Sequence, residues 1–300
     1  MRVAAIDVGT NTVLLVVADV VDGRLSVLAD QERFARLGQG VDATGRLAPE
    51  AMERVVARLA ECLDVAREFE AQVVVVGATS ASRDASNTPE LAHRVRVELG
   101  VEYRILPGPV EAELTFLGAM SMLDPVPPRA VVVDVGGGST EVVAGRAGAP
   151  PTSRMSTDVG SVRLAERCLH RLPAPAADVR AAEAVAQAAL ALVPDDVAAL
   201  RPVVAAAGTA RVAAALAGRA LGTAVRTDDV LAWRDTLLGQ SAADTLEMDP
   251  VLMAGRADVV GAGLLILVAA MRRFGAEEFV VTSGGVRHGL ALLAGAEGAG

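Results

Sequence analysis

AVVVDVGGGSTEVVAG, residues 130–145, lies without a gap on VAAIDVGTNTVLLVVA, residues 3–18. Each copy runs from an apolar strand into Asp-Val-Gly, then a small polar turn, then a second apolar strand. The two aspartates, Asp7 and Asp134, stand 127 residues apart (134 − 7). A strand–turn–strand of this kind fits a plain hairpin. It also fits a turn whose backbone N–H groups hold an anion while the aspartate holds a metal beside it. One copy leaves both readings open, and a second copy favours the anion site.

The segments downstream of the two copies are also alike. After the first come a strand around LSVLAD, a helix from Pro49 to about Glu70 and a strand at 73–76. A helix opened by Thr88-Pro89-Glu90, the strand YRIL and a helix from Pro109 to Met122 complete this half. The second half has a strand near 152–157, helical segments from Ser161 to about Leu192, the strand VVAAA at 203–207 and a helix after Gly208-Thr209. Two more helices, the strand FVVT at 279–282 and a helix after Gly284-Gly285 come next, and the tail AGAEGAG is expected to fray. Three strands and then alternating helix and strand, twice over, predict two similar α/β domains with a ligand cleft between them. The Pro-rich LDPVPPR at 123–129 places the joint, giving domains 1–125 and 126–300, with the last helix able to pack back on the first.

Composition narrows the function. A net charge of −9 argues against non-specific nucleic-acid binding. Asp7 interrupts the N-terminal apolar run too early for a signal peptide. VVGAGLLILVAAM at 259–271 is too short to span a bilayer, and the helix read over 256–271 is expected to be core or subunit interface. A soluble cytoplasmic protein without a membrane partner is expected, with Cys62 and Cys168 as buried small hydrophobes. The chain contains no lysine. A Walker-A lysine and a Schiff-base lysine are therefore excluded, and anions must be held by arginine, backbone N–H groups and metal.

Four more stretches fall where strands deliver residues to the expected cleft. ATSASRDASN, at 78–87, reads as a polar loop at a strand's carboxyl end and supplies Thr79, Ser80, Arg83 and Asn87. LPGPVEAEL, at 106–114, puts Glu111 and Glu113 in a first helical turn, where a carboxylate also complements the helix dipole. GSVRLAE, at 160–166, places Ser161 and Arg163 at a helix start whose N–H groups suit an anion. TSGGVRHGL, at 282–290, repeats the device with Gly284, Gly285 and Arg287.

IDVGTNT, ATSASRDASN, GPVEAEL, DVGGGSTE, GSVRLAE, AAAGTA, RADVVGAG and TSGGVR, in that order, resemble the exopolyphosphatase / guanosine-pentaphosphate phosphohydrolase family. The resemblance runs from about residue 2 to about residue 290. It implies two ribonuclease-H-like domains of the actin-like ATPase superfamily, a homodimer, and hydrolysis of a terminal phosphoanhydride. The implied substrates are inorganic polyphosphate, guanosine pentaphosphate or both, with guanosine tetraphosphate as a related ligand. By the same resemblance Glu111 is the base that activates water. Asp134 and Glu141 hold Mg²⁺ or order that water, with Mn²⁺ as a possible substitute. Asp7, Gly136, Gly137, Gly138, Ser139 and Gly208 match phosphate- and metal-loop positions. Arg83 matches the arginine that grips the phosphate chain, and Thr10, Asn11 and Asn87 lie in matching loops. Arg163 and Arg287 fall in family motifs.

Two departures stand out. Family members usually carry consecutive acidic residues where this chain has Pro109-Val110-Glu111, which leaves Glu111 as the match. Many continue into a large helical domain that this sequence lacks, and the expectation drawn from that is a preference for short chains. Two other readings stay open from the sequence: an ATP-dependent small-molecule kinase of the same superfamily, and a non-catalytic alarmone sensor.

Overall fold

A computed structural model describes residues 1–298. The chain divides into two compact units, residues 1–121 with 284–300, and residues 122–283. The mixed α/β class expected from the sequence is present in both.

Unit 1 opens with a meander of β1 (Arg2–Val8), β2 (Thr12–Val21) and β3 (Arg24–Phe34). Then come α1 (Val41–Thr44), α2 (Pro49–Glu68), β4 (Val73–Ala78), α3 (Ser80–Asp84), α4 (Thr88–Leu99), β5 (Tyr103–Ile105) and α5 (Gly108–Ser121). The sheet order is β3-β2-β1-β4-β5, antiparallel through the meander and parallel from β1 to β5. Parallel neighbours need crossovers, which α2 and α4 supply. Strand alternation splits the core between the two faces of the sheet. Ala4, Ile6 and Val8 join Leu59, Leu63 and Leu91 on one face, and Val3, Ala5 and Val16 join Leu114 and Leu290 on the other.

Unit 2 repeats the plan with β6 (Arg129–Val135), β7 (Thr140–Arg146) and β8 (Ser153–Thr157). α6 (Ser161–Cys168), α7 (Ala176–Leu190), α8 (Asp195–Ala198), β9 (Val203–Ala206) and α9 (Ala207–Leu216) come after them. β10 (Ala224–Arg226), α10 (Thr227–Leu238), α11 (Ala242–Met248), α12 (Val260–Phe274) and β11 (Glu278–Val281) complete it. The order is β10-β11-β9-β6-β7-β8, so β8-β7-β6-β9-β11 reproduces β3-β2-β1-β4-β5. This is the ribonuclease-H-like strand order, present twice. α12 is buried along most of its length at the centre of the unit 2 core.

α13 (Val286–Glu297) returns the chain to unit 1 and packs on α5, β1 and β2. Helix continues through Ala294, Gly295, Ala296 and Glu297, where the sequence suggested fraying, because Gly295 lies against Val20. Residues 299 and 300 of that tail lie outside the described residues. The helical stretch 161–192 divides at residues 169–175, and the short elements α1, α3 and β10 carry no periodic signal long enough to read. Among the described residues no helix is long and apolar enough to cross a membrane.

Candidate active site

The two Asp-Val-Gly turns close identically. Gly9 N donates to Thr12 O at 2.8 Å, and Gly136 N to Ser139 O at 3.0 Å. In unit 2 the carbonyls of the turn are all engaged from one side. Gly136 O accepts from Ser161 N (2.9 Å), and Gly137 O from Val162 N (2.8 Å) and Arg163 N (3.1 Å). Gly138 O accepts from Arg163 Nε at 2.8 Å. A trans peptide points its C=O and N–H in opposite directions. With three successive carbonyls turned to α6, the N–H groups of Gly137, Gly138 and Ser139 are directed away from it. Successive N–H groups in that arrangement form an anion-binding concavity.

This changes the expected role of GSVRLAE. The sequence offered the N–H groups of Ser161 and Arg163 to an anion; in the structure they are spent on the carbonyls of the glycine turn. The approach demands Gly160, whose Cβ would lie 2.5 Å from Gly137 C and 2.6 Å from Gly138 C.

Unit 1 does the same with a different segment. Thr10 O accepts from Gly38 N (2.8 Å), and Asn11 O from Ala35 N (3.1 Å) and Arg36 N (2.9 Å). The N–H groups of Asn11 and Thr12 are thereby turned outward, with Thr10 buried and Asn11 half-buried. In both units a threonine after the fourth strand steadies the first: Thr79 N donates to Val8 O (3.0 Å), and Thr209 Oγ1 to Val135 O (3.2 Å). Gly208 precedes Thr209 in α9, directly after Ala207, whose φ of 65° is left-handed.

The copies differ in their carboxylates. Asp134 stands directly across from Glu141 in the β6–β7 ladder, and Glu141 across from Ser156 of β8. Ser156 Oγ donates to Glu141 Oε1 at 2.8 Å, fixing that side chain. Asp7 faces Leu14 at the corresponding place, so unit 1 has no second acid there. Asp7, Asp134 and Glu141 are all buried. Among the described residues no three acid, histidine or cysteine side chains converge as a ready-made metal cage. The Asp134–Glu141 pair nonetheless fits Mg²⁺, which takes one or two carboxylates and completes its shell with water and substrate phosphate.

Glu111 lies in the first turn of α5, 6% exposed, its carboxylate in an ion pair with Arg83 Nη1. The same nitrogen donates to Leu106 O at 3.0 Å. Burial pushes the Glu111 carboxyl above the usual glutamate range; Arg83 works against that shift and Asp84 with it. A carboxylate so placed is a better base in its ionised form than an exposed one. Arg83 belongs to α3, a helical turn inside the stretch that reads as a loop.

Two other expected contacts are engaged internally. Asn87 is buried, with Oδ1 accepting from Leu47 N (2.8 Å) and Nδ2 donating to Leu47 O (3.0 Å). It fastens α4 to the segment before α2. Arg287 is 3% exposed and binds Asp30 through both carboxylate oxygens, at 2.9 and 2.8 Å. It ties α13 to β3. Two of the glycines around it, Gly284 and Gly289, serve packing. A Cβ on Gly284 would meet Gly118 O at 2.0 Å, and one on Gly289 would meet Leu114 O at 2.1 Å. α13 therefore crosses α5 backbone to backbone. Gly160, Gly38 and Ser156 are the site-forming residues the sequence reading passed over; only the register of β7 with β8 could have marked Ser156.

A duplicated ribonuclease-H-like fold with a phosphate-type turn in each copy defines a class of phosphate-handling proteins. Within it, residues 16–294 match the Ppx/GppA phosphatase family, and the chain belongs to that family. It is 36% identical to Exopolyphosphatase 2 of Mycobacterium tuberculosis, over 97% of this chain and 98% of the relative. Among solved structures, an exopolyphosphatase-like protein is 30% identical with a TM-score of 0.87, covering 100% of this chain and 99% of that one. The Aquifex aeolicus Ppx/GppA family member is 27% identical with a TM-score of 0.81, over 99% and 98%.

Proposed function

We propose that the protein is a Mg²⁺-dependent phosphoanhydride hydrolase that releases terminal phosphate from inorganic polyphosphate. The observation that carries this reading is Glu111, a buried carboxylate held by Arg83 on a rigid helix start. The Mycobacterium tuberculosis relative, named an exopolyphosphatase and matched over nearly its whole length, supports the substrate class. Glu111 takes a proton from water as its oxygen bonds to the terminal phosphorus, and the bridging P–O bond breaks, leaving its electron pair on the shortened chain. In unit 2 the outward N–H groups of Gly137, Gly138 and Ser139 suit phosphate oxygens, whose charge has to be offset in any phosphoryl transfer. Bound Mg²⁺, held by Asp134 and Glu141, would supply further neutralisation of that charge.

Guanosine pentaphosphate ends in the same anhydride and is a second substrate of this reading. The test is phosphate release with Mg²⁺ on polyphosphate of several lengths, guanosine pentaphosphate and ATP, using the wild type and Glu111→Gln. Release from polyphosphate that Glu111→Gln abolishes supports the proposal. Transfer from ATP to an alcohol acceptor without hydrolysis of polyphosphate would replace it.

A further inference from the structure

Two buried hydroxyls adjoin the Arg83–Glu111 pair without belonging to the chemistry above. Tyr103 of β5 is 6% exposed and Ser82 of α3 is 2% exposed. Tyr103 Oη and Ser82 Oγ share a hydrogen bond of 2.8 Å. The backbone of Tyr103 is held by the sheet: it is in register with Val76 of β4, and Leu106 N donates to Ala78 O at 2.8 Å. The same short stretch reaches the pair twice more. Leu106 O accepts from Arg83 Nη1 at 3.0 Å, and Pro107 O accepts from Glu111 N at 2.9 Å. Residues 103–107 thus grip Ser82, Arg83 and Glu111 from one rigid strand end.

An apolar pair would fill the space under α3 without fixing its orientation. Two hydroxyls in a dry site are satisfied only at one separation, so they select one seat for the α3 turn. We infer that Tyr103 is a positioning residue for the hydrolysis, holding Ser82 so that the next residue, Arg83, keeps its guanidinium on Glu111. The inference rests on the reading of Glu111 as the base. Tyr103 itself exchanges no proton in the reaction. Burial pushes its phenol up, the Ser82 bond offsets only part of that, and the Asp7 carboxylate adds to it, so the group stays a neutral hydroxyl.

The charges set around Glu111 are Arg83 and Asp84 of α3. On α13, which packs along α5, Arg287 and His288 lie against Asp30. A loosened Arg83 therefore leaves Glu111 with burial and Asp84, both of which favour its protonated form. The test compares the wild type, Tyr103→Phe and the double variant Ser82→Ala/Tyr103→Phe in Mg²⁺-dependent phosphate release on polyphosphate, across pH and with melting curves. Tyr103→Phe is expected to lower kcat about fivefold, the scale of one neutral hydrogen bond, and to move the acid limb of the pH profile upward. The double variant removes both polar atoms, folds without a stranded hydroxyl, and is expected to keep the shifted limb. A lower melting temperature with an unmoved limb in both variants would overturn the inference, since that is all a packing role predicts. A loss beyond about a hundredfold in Tyr103→Phe would overturn it too, by making the phenol a catalytic group. Glu111→Gln, measured beside them, separates the two readings: full turnover there removes the base and this inference together, whereas dependence on Glu111 with an unmoved limb removes only the latter.

Discussion

Gly160→Ala isolates the physics that shapes the phosphate turn of unit 2. The backbone at Gly160 has φ −146° and ψ 168°, an extended conformation that alanine adopts freely, so the substitution carries no conformational penalty. Its cost is purely steric. The new methyl would sit 2.5 Å from Gly137 C and 2.6 Å from Gly137 O and Gly138 C, all backbone atoms with no rotamer to yield. Restoring an ordinary contact of 3.4 Å requires about 0.9 Å of movement (3.4 − 2.5) between α6 and the turn. That movement lengthens the bonds from Ser161, Val162 and Arg163 that aim the turn. Misplacing a binding or catalytic group by about 1 Å costs on the order of 10² in rate, or about 2.7 kcal/mol of transition-state stabilisation. Phosphate release should therefore fall about a hundredfold in kcat/KM, with global stability lowered by only about 1–3 kcal/mol. Steady-state kinetics beside a thermal melt decide it. A variant within twofold of wild type in kcat/KM would refute the idea that α6 holds the turn in its working shape.

The remaining expectations concern separate parts of the molecule. Glu111→Gln should lower kcat by about 10²–10⁴ with substrate binding largely retained, read by single-turnover phosphate release. Glu111 works as a base only when ionised, so activity falls as pH drops through its raised pKa. Arg83→Ala removes the group that opposes the rise, and the acid limb of kcat/KM should move to still higher pH. Excess chelator should abolish turnover and Mg²⁺ or Mn²⁺ should restore it, with Asp134→Asn needing more metal for half-activation; undiminished activity in chelator would sink the metal assignment. Gly289→Ala should destabilise unit 1 by about 1–3 kcal/mol, because its methyl would overlap Leu114 O of α5, and an unchanged melting temperature would contradict that contact.

The doubled strand order is legible because its signals are local. Val3 to Ala18 and Ala130 to Gly145 carry apolar runs broken at the same place by the same aspartate and glycine, which is enough to give two meanders. Glu111 and Arg83 are legible by motif, although nothing in their spacing says that one guanidinium nitrogen would bridge Glu111 and Leu106 O. What stayed hidden is non-local. Ser161 and Arg163 look like a free helix start until β8 delivers them to the carbonyls of Gly136 to Gly138. Gly284 and Gly285 look like an anion loop until α5 is found beside them: a Cβ on Gly284 would meet Gly118 O, and one on Gly118 would meet Gly285 O. Asn87 and Arg287 are polar residues in family motifs, and only the folded chain reveals that Leu47 and Asp30 occupy them.

The return of α13 to unit 1 has a consequence for how the protein is made. Unit 2 is inserted within unit 1, so every residue of unit 2 has been synthesised by Ser283, before Val286, Leu290 and Ala291 exist. Those three complete the second face of the first sheet, alongside Val3, Ala5 and Leu114. A nascent chain can therefore close its later half first, while the earlier half carries an uncovered apolar surface until α13 leaves the ribosome. The segment most in need of shelter during translation is thus the one translated earliest, and α13 acts as its clasp.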